Sequence, residues 1–338
     1  MRRLFSIVMV LVLLAGLAVP ANAATRPQAS WDAAADRALE RLRTELDAGP
    51  VVGSVGGEWA VVALARAGKL ESDDPWLNSW FADLDRLLAQ VDALTAAGNN
   101  IQRPRSAGTF PSELRRWTDF QRVTIALSSL GLDASNHGGR DLTAVYRSFV
   151  PPASRHGLNA AINADAFALI ALDTRAYDGD RDRFLVRILE TQRANGSWGL
   201  STNPDASDIS ITAMTVQALA PYYAAGDRRV IRAVHRALGW LDTQTFADTE
   251  STAQMIVALT ALGSDYAEEA ARYVSRLMTR FDARTGGFRR TGSADPVDLM
   301  ATEQAAYALV AYRRFINGMN TLYDMSDAGD AEVYSHST

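Results

Sequence analysis

The chain has 338 residues and no cysteine, and its 34 basic residues face 39 acidic ones, for a net charge of −5. Without cysteine there is no disulfide, no thiolate ligand for zinc and no lipid anchor on a cysteine. The acidic balance leaves no basic stripe to neutralise phosphates, so we expect no nucleic-acid partner.

The first 23 residues have the parts of a secretory signal peptide. Two arginines at positions 2 and 3 precede an apolar run from Leu4 to Val19, and Ala21-Asn22-Ala23 is the small-residue pattern that signal peptidase cuts after. The run is shorter than the roughly 20 residues that a membrane span requires. We therefore predict a secreted, extracytoplasmic protein that is cleaved after Ala23 and does not associate with a membrane after cleavage.

One pattern recurs six times in the rest of the chain: a small or polar helix start leads into an apolar stretch that contains Ala-Leu. The alanines of these dipeptides are 63, 45, 47, 40 and 50 residues apart, the spacing expected when each repeat unit is a pair of helices. The dipeptides are Ala63-Leu64, Ala126-Leu127, Ala171-Leu172, Ala218-Leu219, Ala258-Leu259 and Ala308-Leu309. The repeats predict one domain over residues 24–323, and a polar C-terminal tail follows over residues 324–338.

A more charged helix precedes each Ala-Leu helix, so the sequence predicts twelve helices in six pairs. The charged helices are predicted at residues 31–46, 75–95, 141–149, 181–192, 229–243 and 266–281. One apolar stripe and a charged face place them outside, whereas the Ala-Leu helices are apolar or small nearly all round and belong inside. No stretch alternates apolar and polar residues over the length of a strand, which favours an all-α chain whose six pairs close into a double ring.

One turn carries a family resemblance. Gln192-Arg-Ala-Asn-Gly196-Ser-Trp198 matches the Q-x-x-x-G-x-W signature of the squalene cyclase and prenyltransferase repeat family, and Gln244-Thr-Phe246 and Gly286-Gly287-Phe288 resemble eroded copies. In this turn we expect the glutamine to tie an outer helix to the next inner helix, the glycine to free the turn and the tryptophan to cover it.

Over nearly all of its mature length the chain resembles secreted bacterial proteins of the prenyltransferase and squalene oxidase repeat type. The resemblance implies an (α/α)6 toroid with a central cavity. It leaves the function open, because the relatives include cyclases, protein prenyltransferases, thioester domains and cobalamin carriers.

The groups on which the catalytic relatives depend are absent from the sequence. The stretch that matches the D-x-D-D-T-A acid motif of the cyclases is Asp208-Ile-Ser-Ile-Thr-Ala213, and a serine hydroxyl at its proton-donating position is too weak an acid to protonate an alkene or epoxide. Zinc-dependent prenyltransferases and thioester domains need a cysteine, and the four histidines lack the spacing of a zinc site. We expect no cofactor and no metal, and if the protein is an enzyme, the candidate acids are Asp205 and Asp208.

What remains is binding at the N-terminal ends of the inner helices, where unpaired N–H groups and a partial positive charge receive polar groups of a ligand. For Asp208 and Ser210, N-capping is at least as good an interpretation. Alignment of the repeats places these candidate ligand-binding residues there: Glu58, Trp59, Asp119, Arg122, Asn163, Asp165, Ser210, Thr212, Gln254, Glu303 and Gln304.

The leading hypothesis is an exported, non-catalytic toroid that binds a small molecule, an amphipathic ligand or a partner at its central cavity. The alternative is an enzyme, either a divergent terpenoid cyclase or a toroid polysaccharide lyase that uses residues such as His156 and Arg122. A surface interaction protein is a third and less specific hypothesis.

Overall fold

The computed structural model describes residues 25–97, 111–114, 116–147, 162–200 and 206–331, and of residues 25–30 only the helical backbone. The predicted signal peptide at residues 1–23 and the candidate acid Asp205 therefore lie outside the described residues. Within these ranges no helix combines the length and the apolar composition that crossing a bilayer needs.

Eleven α-helices form in the described part of the chain, and the prediction of a mostly helical protein is confirmed. They are α1 (Thr25–Glu45), α2 (Glu58–Arg66), α3 (Asn78–Ala96), α4 (Trp117–Ser129), α5 (Ile162–Asp173), α6 (Arg181–Glu190), α7 (Ile209–Ala224), α8 (Arg228–Asp242), α9 (Thr249–Leu262), α10 (Ala267–Met278) and α11 (Leu299–Ile316). The Ala-Leu helices α2, α4, α5, α7, α9 and α11 are buried along most of their length, and we call them the buried helices. The other five are amphipathic.

Two elements differ from the sequence-based expectation. In the described part of residues 141–149, a short 3-10 helix, Leu142–Val145, replaces the predicted α-helix, and Asp141 starts it by accepting from two backbone N–H groups. A small antiparallel sheet of β1 (Phe281–Asp282), β2 (Gly287–Arg289) and β3 (Val297–Asp298) lies between α10 and α11, with Phe288 opposite both Phe281 and Asp298. Strands this short offer no alternating pattern in the sequence to reveal them.

The buried helices contact one another in chain order, α2 with α4, α4 with α5, α5 with α7, α7 with α9 and α9 with α11, and α11 in turn contacts α2. Contacts between the first turns of α4 and α5 and between the last turns of α11 and α2 are those of helices that run in the same direction. Gln121 of α4 donates to Ala164 O in the first turn of α5 at 3.0 Å, and Arg314 at the end of α11 donates to Arg66 O at the end of α2 at 3.0 Å. We call the two ends of this group of helices the N-terminal face and the C-terminal face.

The amphipathic helices α6, α8 and α10 pack mainly on the buried helix that precedes each of them, whereas the sequence suggested pairing with the one that follows. The first helix completes the arrangement by packing on the last one. Arg313 of α11 binds Asp32 of α1 at 2.5 Å and Asp36 at 3.1 Å, and the rings of Trp31 and Tyr312 meet edge to face at 5.0 Å. The first and last helices are therefore joined directly.

The turn at Gly196 shows how one repeat is joined to the next. Gln192 Nε2 donates to Gly196 O within the turn and, at 2.8 Å, to Ala233 O of α8. The glutamine therefore ties α6 to the next amphipathic helix, whereas we expected the next buried one. Gly196 has a φ of +95°, and a Cβ there would overlap the backbone oxygen of Arg236 on α8, so only glycine fits.

The turn at Gly286 repeats this geometry against the first helix of the chain. Gly286 has a φ of +77°, and a Cβ there would lie 3.1 Å from Arg37 O of α1. Beside it, Phe288 N donates to Thr302 Oγ1 at 2.9 Å, as Trp198 N donates to Thr212 Oγ1 at 3.0 Å. This supports the interpretation of the Gly286 turn as an eroded copy, with α1 in the place that α8 takes at Gly196.

The C-terminal segment, residues 317–331, lies across the C-terminal face. Arg66 of α2 donates to the carbonyl groups of residues 321, 322 and 324 at 2.8–3.0 Å. Met325 is fully buried, and its N–H group donates to Thr174 O after α5 at 2.9 Å. Asp327 accepts from Arg66 at 2.6 Å and also from Arg314, and both guanidinium groups are almost fully buried. The expected polar tail is therefore packed against the ends of α2, α5 and α11 as far as the described residues extend.

We expect Gly196→Ala to destabilise the protein more than Gly226→Ala, a matched control with φ +82° and no atom within 4 Å of its added Cβ. The left-handed backbone alone costs alanine about 1–2 kcal/mol. The contact with Arg236 O should add about 1–3 kcal/mol at Gly196 only. Chemical denaturation of both variants checks this, and equal losses would contradict it.

We also expect Asp327→Asn to lower the free energy of unfolding by about 1–3 kcal/mol, because two buried guanidinium groups lose their shared carboxylate. Asp330→Asn is the control. Its carboxylate is 93 % exposed and pairs only with Arg175 among the described residues, so its loss should cost about 0–1 kcal/mol. Thermal or urea unfolding compares the two, and a larger loss for Asp330→Asn would be inconsistent with the packing described.

Candidate functional site

Four aromatic rings from four elements meet between the buried helices. Trp59 of α2 lies 5.7 Å from Phe167 of α5, 6.0 Å from Tyr307 of α11 and 6.4 Å from Tyr323 of the C-terminal segment, measured between ring centroids. Phe167 and Tyr307 are buried, whereas Trp59 and Tyr323 are half-buried. We call these four residues the aromatic cluster, and its tilted and edge-on contacts are the arrangement that aromatic rings prefer.

Three glutamines adjoin this cluster and form an amide cluster. Gln217 of α7 donates to both the backbone and the side-chain oxygen of Gln254 of α9 at 2.8 Å. Gln254 donates in turn to Gln304 of α11 at 3.2 Å and to the hydroxyl of Tyr307, which itself donates to Gln304 at 3.1 Å. Tyr307 thus belongs to both clusters and joins them.

The two clusters combine apolar surface with hydrogen-bonding groups at one place. Trp59 and Gln304 are only half-buried, although both lie on buried helices. Gln217 Oε1 is buried and accepts no hydrogen bond from the described part of the chain. Aromatic walls with a few convergent polar groups are the usual composition of a site for a small organic molecule.

Two buried glutamates hold the loop that leads into α2. Glu58, the first residue of α2, accepts from Gly53 N at 2.8 Å, and Glu303 of α11 accepts from Gly56 N at 2.9 Å. Both side chains are nearly inaccessible, at 1 % and 2 % exposure. The loop is therefore fastened by one carboxyl group from α2 and one from the last helix.

Burial dominates the electrostatics of these carboxyl groups. It raises the pKa of Glu303 to about 8, an effect that the charge of Glu58 reinforces and that backbone N–H groups and Arg122 oppose. Burial also raises the pKa of Glu58, against the lowering effect of the Arg122 guanidinium. At neutral pH Glu303 therefore exists largely as the uncharged carboxylic acid.

Arg122 is the cation whose charge acts on both glutamates, and its own partner is Asp119. Arg122 Nη2 donates to Asp119 at 2.9 Å, and the other carboxylate oxygen of Asp119 accepts from Arg116 N at 2.8 Å. Arg122 Nε and Glu58 Oε2 are buried, and neither has a hydrogen-bond partner among the described residues. A buried donor and a buried acceptor thus remain unsatisfied on two side chains whose charges interact.

Two other residues that the sequence predicted to bind a ligand are instead bonded to groups of the protein itself. Asp165 of α5 pairs with Arg187 of α6 at 3.0 Å, and burial raises the pKa of Asp165 to about 6 while Arg187 opposes that rise. Thr212 is fully buried and bonds the backbone of Trp198 and Asp208. These contacts use the polar atoms of both side chains and favour a structural role for them, so the site described here does not include them.

Asp208, one of the two candidate acids, is the N-cap of α7 and accepts from Ile211 N at 2.8 Å. Ser210 and Asn163 lie in the first turns of α7 and α5, where both are half-buried. N-capping was the alternative interpretation for Asp208, and the structure supports it.

Sequence reasoning missed five residues in and around the site. A polar side chain inside an otherwise apolar helix is a usable signal, and it singles out Gln121 and Gln217. Phe167, Tyr307 and Tyr323 carry no such signal, because a core position and a site position look alike in sequence. In the described ranges no three histidine, aspartate or glutamate residues are grouped to hold a metal ion.

No protein-family model matches the sequence, and no curated protein matches it. Among solved structures, the chain is similar to ent-copalyl diphosphate synthase from Streptomyces platensis, with 21 % sequence identity and a TM-score of 0.46 over 77 % of this chain. The similarity covers 50 % of that enzyme, so this chain spans about half of its length.

We expect Glu303→Gln to change how stability depends on pH. Because the folded pKa of about 8 exceeds the ordinary value of 4.5, the native state binds more protons between these values, and stability falls as pH rises from 4.5 to 8. Glutamine keeps an acceptor for Gly56 N but cannot ionise, so this loss should shrink in the variant.

Urea denaturation at pH 5 and pH 8 measures this difference, with Glu268→Gln as the control because Glu268 is exposed on α10. An unchanged pH dependence in Glu303→Gln would contradict the assignment of the titrating group.

Proposed function

We propose that the chain is an exported (α/α)6 toroid that binds a small amphipathic molecule at the aromatic and amide clusters, without catalysing a reaction. The observation that carries the proposal is the junction of the two clusters at Tyr307. There, aromatic surface and amide groups from α2, α5, α7, α9 and α11 converge on one place.

The contacts between helices support a closed ring. The series of contacts from α2 to α11 returns to α2, and α1 packs on α11. The matching positions of Arg236 O at Gly196 and of Arg37 O at Gly286 support the same arrangement, since equivalent turns then have equivalent neighbours all the way round.

The position of the C-terminal segment supports entry of a ligand from the N-terminal face. It crosses the C-terminal face and brings the ring of Tyr323 to within 6.4 Å of Trp59. A ligand would therefore approach from the N-terminal face, with Tyr323 beneath it and the other three aromatic residues around it. Export rests on the leader-like pattern of residues 1–23 alone.

We propose that no reaction is catalysed because the residues at the positions of the cyclase acid motif are not suited to donate a proton. Asp208 is occupied as a helix cap, and a serine stands at the proton-donating position of its motif. Asp205 lies outside the described residues.

A second candidate function is acid catalysis, and one observation favours it. Glu303 is largely an uncharged carboxylic acid at neutral pH, the state that a general acid requires. In that case Glu303, and not Asp208, would be the proton donor of a divergent cyclase. Its oxygen accepts from Gly56 N, however, and this contact supports a structural role for the side chain.

The test is binding of Nile red, a neutral and largely apolar dye, to the purified mature protein. We expect Trp59→Ala to weaken binding at least tenfold, about 1.4 kcal/mol, because the variant removes the ring that contacts the other three. Trp240→Ala is the matched control, since Trp240 is also half-buried but lies on α8.

Fluorescence titration gives the affinities, and native mass spectrometry of the protein from its host shows whether a molecule co-purifies. Equal effects of the two tryptophan variants, or no binding of the dye by the wild type, would contradict the proposed site. Turnover of squalene or prenyl diphosphates that Glu303→Gln abolishes would favour the enzyme instead.

A further inference from the structure

We propose that Glu58 and Arg122 form a polar subsite that receives an uncharged head group of the ligand, such as a hydroxyl, and discriminates against carboxylates and phosphates. The proposal rests on the proposed function and adds the chemical class of the ligand. It concerns a place near the aromatic cluster, since the charge of Glu58 acts on Glu303, which lies one turn from Tyr307 on α11 and acts on its hydroxyl in turn.

Two buried atoms without a hydrogen-bond partner among the described residues show which groups a ligand must supply. Glu58 Oε2 belongs to a side chain that is 1 % exposed and needs a donor, and Arg122 Nε is buried and needs an acceptor. Buried polar groups in folded proteins nearly always have a partner, whether protein, water or ligand. A hydroxyl group supplies one donor and two acceptor positions, so it has the groups that both atoms need.

The remaining contacts hold the two side chains in place without using these atoms. Glu58 Oε1 is fixed by Gly53 N at 2.8 Å, and Arg122 Nη2 is fixed by Asp119 at 2.9 Å. The subsite is therefore assembled before a ligand arrives, and this preorganisation lowers the entropy cost of binding.

The charges around the subsite select against anions. The ionisable groups that act on Glu58 are Arg122 and Asp119, and Glu303 lies close enough for Glu58 and Arg122 to shift its pKa. One guanidinium group thus faces three carboxyl groups, and it already neutralises Asp119. An anionic head would meet Glu58 without a free cation to balance it.

A cationic head is also a poor fit. An ammonium group could donate to Glu58 Oε2, but it offers no acceptor for Arg122 Nε and would be repelled by the guanidinium charge. Only a group that both donates and accepts completes the subsite.

The experiment compares 1-decanol, decanoate and decylamine, which share an apolar chain and differ in the head group. Each is titrated at pH 7 against the wild-type protein carrying Nile red, and displacement gives its affinity. We expect decanol to bind at least tenfold more tightly than decanoate and several-fold more tightly than decylamine.

In Glu58→Gln and in Arg122→Met we expect decanol to bind several-fold more weakly, since each variant removes one of the two partners. Glu58→Gln should also reduce the discrimination against decanoate, because it removes the nearest negative charge. Glu268→Gln and Arg232→Met are matched controls on exposed positions of α10 and α8 and should leave all three affinities unchanged. If Glu58→Gln fails to fold by circular dichroism, Arg122→Met decides alone.

Equal affinity for decanol and decanoate in the wild type, or unchanged head-group preference in the folded variants, would overturn the subsite. Failure of Nile red and of all three probes to bind would instead overturn the proposed function on which the subsite rests.

Discussion

Closure between the first and last helices is the interaction on which the rest of the structure depends. Arg313 on the last helix binds Asp32 and Asp36 on the first, and Glu303 accepts from Gly56 ahead of α2. At the C-terminal face, Arg66 and Arg314 share Asp327. Buried helices that are apolar nearly all round expose their sides wherever they lack a neighbour, and the contacts of α11 with α1 and α2 cover the sides that the last helix would otherwise expose.

This closure brings polar groups into a place where water is scarce. The amides of Gln217, Gln254 and Gln304 bond one another and Tyr307, which lowers the cost of burying them. Glu58 and Arg122 each keep one atom without a partner in the described part of the chain. Buried polar atoms nearly always have a partner, and in the function proposed above a ligand supplies it.

The two buried glutamates, Glu58 and Glu303, both hold the loop before α2 and have unusual protonation behaviour. Each accepts from a backbone N–H group of the loop before α2, and each has its pKa raised by burial. The uncharged form of Glu303 avoids the cost of placing a second charge beside Glu58. At neutral pH, the loop before α2 is therefore held by Glu58 and by a Glu303 that is largely protonated.

The six-fold Ala-Leu pattern, the turn at Gly196 and the helix starts could be recognised from sequence because they depend on local periodicity and capping. Asp208 begins α7 in this way and accepts from the N–H group three residues on. Glu58 and Trp59 open α2, where the alignment of the repeats put them. Such features depend only on residues that are close together in the chain, so they can be predicted from the sequence.

Other features required contacts between distant residues. Arg66 and Leu322, which join α2 to the C-terminal segment, are 256 residues apart, and Arg313 and Asp32, which join α11 to α1, are 281 apart. The short strands around Phe288 and the 3-10 helix at Leu142–Val145 were likewise invisible to periodicity. By itself the sequence determined the helices and their repeat, because each arises from local spacing, whereas the tertiary structure alone decided which polar groups are satisfied, because satisfaction depends on neighbours that the chain brings together only when it folds.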